Sequence, residues 1–136
     1  MNTKSQIIID DKFIDTLINN ARANPRLRQA FDLRTSEADG SQRMLNALIP
    51  GTELPIHRHR DTTETVVILR GRMDEIFFDD HGRETSRVHL VHDGGVQALS
   101  IPAGAWHTVE VLEPTVIFEA KDGPFVPRTD DDVLKA

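Results

Sequence analysis

The stretch Gly51-Thr52-Glu53-Leu54-Pro55-Ile56-His57-Arg58-His59-Arg60-Asp61-Thr62-Thr63-Glu64 sets two imidazoles two residues apart, with a carboxylate five residues further on. In an extended chain His57 and His59 point to one face and Arg58 to the other. Arg60 to Thr63 can turn the chain, and Glu64 then opens the next strand. Two imidazoles and a carboxylate converge at one end of a hairpin. That donor set suits a first-row divalent ion.

A second segment, Pro102-Ala103-Gly104-Ala105-Trp106-His107, reads as a tight turn that leads into a new strand. Alternation puts His107, Val109 and Val111 on one face and Trp106, Thr108 and Glu110 on the other. A histidine on an apolar face is buried and needs partners; a metal ion is one way to supply them. A His-x-His pair alone is more often a surface feature, and a Pro-x-Gly-x-x-His run alone is weaker still. Their conjunction, in this order and with Glu64 at this spacing, makes His57, His59, His107 and Glu64 candidate ligands of one metal ion.

Outward from these segments, the chain divides into two textures. Phe13, Ile14, Leu17, Ile18 and Ala21 fall at helical spacing behind possible caps at Asp10 and Asp11. Asn24-Pro25 ends that helix, because the residue before proline is pushed out of the α region. Pro25 can start a second short helix over Arg26 to Phe31, and Ser36 to Gly40 reads as a polar loop.

Beyond Gly40, short β-like runs alternate with turn signals: Met44–Ile49, Glu64–Leu69, Glu75–Phe78, Ser86–Val91, Val96–Ile101, Trp106–Leu112 and Thr115–Ala120. Such spacing predicts an all-β sandwich or barrel. A single domain is expected, with residues 1–40 as a helical arm on the barrel and residues 41–136 as the barrel with a C-terminal tail. The tail from Gly123 is expected on the surface or reaching a partner.

Composition narrows the function. A formal net charge of −6 argues against nucleic acid. No apolar run approaches the roughly 20 residues of a membrane span. The absence of cysteine excludes disulfides and thiolate ligands. A cytoplasmic protein with nitrogen and oxygen metal ligands is the simplest expectation.

Gly51-x5-His57-x-His59-x4-Glu64-x6-Gly71 matches the first cupin motif, and Pro102-x-Gly104-x2-His107 matches the heart of the second. Six residues rather than five separate Gly95 from Pro102, and Val111 stands where the second motif usually has Asn. The resemblance implies a jelly-roll type antiparallel β-barrel in which the three histidines and the glutamate are the ligands. Asn24-Pro25-Arg26-x-Arg28, Gln42 to Ala47, Pro55 to His59, Glu64 to Val67, Trp106 to Thr108 and Glu119 to Pro124 further resemble the WbuC-type cupin-fold metalloproteins, over nearly the whole chain. That resemblance implies a role in surface polysaccharide (O-antigen type) synthesis.

Other site residues stay open at this level. Glu64, Val66, Ile68 and Arg70 share a face by alternation, so Arg70 either reaches the barrel mouth or is a solvated hairpin arginine. If Val116, Phe118 and Ala120 face the core, Glu119 and Lys121 are exterior; if Ile117 is inward, they enter the cavity as an acid/base pair. Gln42, Met44 and Asn46 share one face, with Arg43, Leu45 and Ala47 on the other, and alternation does not say which looks in. Arg26 and Arg28 could fold back to hold a carboxylate or phosphate. His81, His89 and His92 lie outside both motifs and are read as non-ligands.

Three imidazoles and a carboxylate leave an open coordination position, the mark of a catalytic rather than a structural site. The expected cofactor is one divalent zinc, iron, manganese or nickel ion. The expected partner is a small carbohydrate-derived ligand, turned over by isomerisation or epimerisation. A non-catalytic carbohydrate-binding or sensing protein and an iron-dependent dioxygenase are the alternatives. The apolar face Thr65, Val67 and Leu69 needs cover from the arm or from a second subunit, and a homodimer is expected.

Overall fold

The computed structural model describes residues 5–134. Helix α1 spans Asp11–Ala23, and strands β1 to β8 span Arg28–Asp32, Ser41–Leu48, Glu64–Arg70, Arg72–Phe78, Glu84–Val91, Ala98–Ile101, Trp106–Val111 and Thr115–Asp122. Pairing gives a five-stranded sheet in the order β1-β2-β8-β3-β6 and a three-stranded sheet in the order β5-β4-β7, antiparallel throughout. The two sheets face each other as separate ladders rather than one closed barrel. This is the cupin architecture.

Asp10 caps α1 by accepting from the Phe13 amide at 2.9 Å, and Asn24 leaves the helix in an extended conformation ahead of Pro25. The buried helix face, Ile14, Leu17, Ile18 and Ala21, packs on Leu45, Ala47 and Val116 of the larger sheet. A second core, between the sheets, gathers Leu48, Val66, Ile68, Met73, Leu90, Ile101, Val111 and Ile117. Strands β2 and β8 are therefore covered on both faces. Their sequences consequently lack a clean apolar/polar alternation.

The short helix expected over Arg26 to Phe31 is not formed. Leu27 takes a left-handed conformation (φ 57°) that reverses the chain, and Arg28–Asp32 becomes edge strand β1, paired with β2. A six-residue helix has few internal hydrogen bonds, whereas the strand gains a ladder and seats Phe31 edge-on against Phe13, ring centroids 5.0 Å apart. Long-range pairing overrides the local preference set by Pro25.

Gly71 joins β3 of one sheet to β4 of the other. Its φ is 91°, and a Cβ there would lie 2.3 Å from the Pro114 carbonyl oxygen. Only glycine fits that corner. The expected cover for the outer face of β3 is partly supplied by the arm: Leu69 packs in the α1 cluster, Val67 is half-buried and Thr65 is exposed. No described helix is long and apolar enough to cross a membrane.

Candidate metal centre

Residues 52–63 are mostly irregular rather than a strand, yet the extended segment around His57 keeps its alternation. His57 and His107 form an isolated antiparallel bridge: His57 N donates to His107 O at 2.9 Å and His107 N to His57 O at 2.8 Å. Directly paired residues project their side chains to the same face. The ring centroids lie 4.4 Å apart, with His59 at 5.2 Å from His57 and 5.6 Å from His107. On the opposite face Arg58 stacks over Trp106 at 4.5 Å.

The three histidines each present a ligand nitrogen within 4.8 Å of the others. Nδ1 of His57 donates to the Pro55 carbonyl and Nδ1 of His107 to the Ala105 carbonyl, both at 2.9 Å. Such carbonyl contacts select the tautomer that leaves the other nitrogen as a lone pair. Burial, with the neighbouring His107, lowers His57 to about 3, so its ring stays neutral, as a ligand must be.

Glu64, at the start of β3 and 3% exposed, brings Oε1 to 3.3 Å from His59 Nε2 and 3.4 Å from His107 Nε2. Neither approach has hydrogen-bond geometry, and Oε1 is a buried acceptor with no donor. Orphaned buried acceptors are rare in folded proteins and need an explanation. Here ligand nitrogens of three histidines lie close together, with the orphaned Glu64 oxygen beside two of them, and a cation there would satisfy them. His57, His59 and His107 could thus hold a metal ion, and the donor set with Glu64 fits one.

The chamber beside this cluster has a volume of about 170 Å³ and is lined by Asn46, Glu75, Glu119 and Lys121 as well as the four candidate ligands. Strand register explains the lining. Glu64 pairs with Lys121, Val66 with Glu119, and Asn46 with Ile117, so the inward faces of β2, β3 and β8 coincide. Ile117 is inward; Glu119 and Lys121 follow it into the cavity. Gln42, Met44 and Asn46 are likewise on the inward face of β2. Asn46 Nδ2 donates to Glu119 Oε2 at 2.6 Å. Burial and the nearby Glu64 charge push the Glu119 carboxyl up to about 8.

Arg70 is not brought to this chamber. A register shift between Ile68 and Arg70 breaks the alternation of β3. The guanidinium turns outward to Asp15 at 2.5 Å and Asp11 at 2.9 Å on α1. His89 pairs with Asp74 on the smaller sheet, away from the cluster.

Two contributors were not evident from the residues alone. Glu75 on β4 is 2% exposed, and burial followed by the charges of Glu64 and Glu119 raises its pKa well above the carboxylate range. It stands opposite Val109 in the ladder, so only the pairing of β4 with β7 places it. The tail runs along the surface and folds back over residues 56–58. Leu134 N donates to Ile56 O at 2.8 Å, Arg58 N donates to Asp132 O at 3.0 Å, and Asp132 accepts from Arg58 and Arg60. This strap satisfies the open backbone edge of residues 56–58. It also walls an outer chamber of about 680 Å³ that shares His59, Lys121 and Arg128 with the inner one.

Fold and site together define a cupin with a histidine-lined pocket. Among solved structures, the chain is similar to the capsular polysaccharide assembling protein CapF from Staphylococcus aureus, at 21% identity and a TM-score of 0.61, covering 72% of this chain and 27% of CapF. It is also similar to an oxalate oxidase in complex with the substrate analogue glycolate, at 16% identity and a TM-score of 0.60, covering 74% of this chain and 53% of that one. The cupin domain of Schizosaccharomyces pombe Cnp3 matches at 13% identity and a TM-score of 0.56, over 71% of this chain and 64% of that one. The chain therefore spans under a third of CapF and about half of the oxidase. No curated protein matches it. The chain belongs to the family described as a domain of unknown function (DUF6016), which matches residues 9–90 and so includes His57, His59 and Glu64.

Proposed function

We propose that the protein is a WbuC-type metalloenzyme that isomerises or epimerises a small sugar or sugar-nucleotide derivative in surface polysaccharide synthesis. One divalent ion (zinc, iron, manganese or nickel) would be held by His57, His59, His107 and Glu64. The observation that carries the enzymatic reading is the pair Glu119 and Lys121: titratable groups that are not ligands, in the same chamber as the cluster. The fold likeness to a protein named for capsular polysaccharide assembly supports the substrate class.

When bound, the ion would polarise a carbonyl or hydroxyl oxygen of the substrate. Asn46 holds Glu119 Oε2 and so orients the carboxyl that would exchange a proton with the substrate carbon or hydroxyl. A carboxyl that can both give and take a proton works in both directions, as a reversible isomerisation requires. Lys121, across the ladder from Glu64, offsets negative charge that develops on the substrate. The apolar floor of Leu48, Val109 and Ile117 keeps water away from the reacting end. The reading includes a cytoplasmic homodimer, with a molar mass in solution near twice 15.3 kDa.

The test is solvent-deuterium uptake, followed by NMR, into a panel of sugars, sugar phosphates and sugar nucleotides incubated with metal-loaded protein. Uptake at one carbon, lost in Glu119→Gln at unchanged metal content, is expected. Binding without exchange by any member of the panel would make the protein a carbohydrate-binding module instead.

A further inference from the structure

We infer that the ligand of this chamber is an anion, a hydroxylated metabolite whose carboxylate or phosphate is gripped by Arg28 and Arg128 with Lys121 beside them. This rests on the metal-dependent reading for the other end of the ligand. The two arginines come from opposite ends of the chain. Arg28 opens β1 opposite Leu48, on the inward face of the sheet, and Arg128 lies in the strap. Both line the chamber that holds the histidine cluster.

Their pairing distinguishes them from their neighbours. Arg58 and Arg60, which line the outer chamber, share the single carboxylate of Asp132. Arg28 is anchored only to neutral acceptors, through Nη1 to the Glu53 carbonyl at 3.0 Å and to Thr52 Oγ1 at 3.4 Å. Among the described residues, neither Arg28 nor Arg128 pairs with a carboxylate within 4.0 Å, and Lys121, which makes no such close pair either, acts by its charge on Glu64 and Glu119. Burial and then the like charges of Arg26 and Arg128 lower the Arg28 pKa, the sign of cations gathered without a counter-ion.

With Glu64, Glu75 and Glu119 all ionised, the three side-chain cations just balance them. Protonation of Glu119 or Glu75, whose pKa values are raised, leaves the chamber net positive, and a bound divalent metal would add to that. Guanidinium groups suit carboxylate and phosphate oxygens because their donors match two acceptors at once. The inner volume of about 170 Å³ holds the equivalent of about six waters, enough for one small hydroxylated unit. Arg128 and Lys121 line both chambers, so the anion sits at the junction and any larger remainder extends outward.

The experiment is calorimetric titration of full-length, metal-loaded protein with gluconate, glucose 6-phosphate and glucose. Binding of at least one of the two anions tenfold or more tighter than glucose is expected, and the tighter of the two identifies carboxylate or phosphate. Arg28→Gln combined with Arg128→Gln should lose at least tenfold for that anion at unchanged metal content. Should the Arg28 variant fail to fold, the exposed Arg128→Glu substitution asks the same question by charge reversal. Equal affinity for glucose, no binding of either anion, or variants that bind the anion normally would each overturn the inference. Anion binding that needs the arginines in a protein that takes up no metal would instead uphold it and defeat the metal reading.

Discussion

His57 and His107 hold each other by backbone, not by side chain: each amide donates to the other's carbonyl, at 2.9 and 2.8 Å. The imidazoles are thereby aimed into one pocket by main-chain pairing that side-chain replacement leaves intact. The histidine cluster is thus positioned by the backbone alone. What the pocket lacks is a donor for Glu64 Oε1, and that shortage makes the empty and loaded forms respond differently to the same mutation.

Glu64→Gln should therefore have effects of opposite sign. In chelator-treated protein it removes an unpaired buried carboxylate and adds an amide donor beside the imidazole lone pairs, raising stability by about 1–3 kcal/mol. In metal-loaded protein it replaces an anionic ligand by a neutral one and lowers both metal affinity and stability. Urea unfolding of the two forms checks this; destabilisation of the metal-free protein would remove the orphaned-acceptor argument.

Metal-free protein should lose stability between pH 6.5 and 8. The folded-state pKa of Glu119 is raised to about 8 by burial and the Glu64 charge, and that of Glu75 is raised in the same direction. The folded protein thus keeps protons that the unfolded chain has already released, so stability falls as pH rises. His57 is lowered to about 3 and acts in the opposite sense, but only below its unfolded value of 6.5. The decline is at most about 2 kcal/mol per carboxyl over this window. Glu119→Gln should flatten it in denaturant melts run across the range.

Arg70→Ala should leave metal content and ligand binding unchanged. Its partners Asp11 and Asp15 are largely exposed, and such surface pairs contribute about 0–1 kcal/mol. A large loss of activity at normal stability would return Arg70 to the site.

Most strands and the histidine cluster are legible because they depend on local pattern. His-x-His, the turn before Trp106-His107 and the alternation of Val109 and Val111 all survive in the fold. What was not legible depends on strand pairing. Val116 and Ile117 are both apolar because one meets α1 and the other the inter-sheet core, so β8 could not declare which face carries Glu119. Arg70 leaves its expected face through a register shift, a feature of the β3–β8 ladder and not of either strand alone. Glu75 and the strap are placed by partners distant in sequence. Arg28 reads in sequence as a candidate anion holder on a short helix, and the structure puts it on strand β1 instead.

Gly71→Ala tests the corner between the sheets. It forces a side chain into positive φ and against the Pro114 carbonyl, at a cost of at least about 2 kcal/mol. Equilibrium unfolding should show it, with metal content per folded molecule little changed.

The most direct measurement is anomalous diffraction from crystals of the protein loaded with zinc. One ion is predicted between His57, His59, His107 and Glu64, with nitrogens at about 2.1 Å, and its peak should vanish in His57→Ala and His107→Ala. A zinc peak elsewhere, such as on Asp130 to Asp132, with the four side chains left bare, would contradict the account.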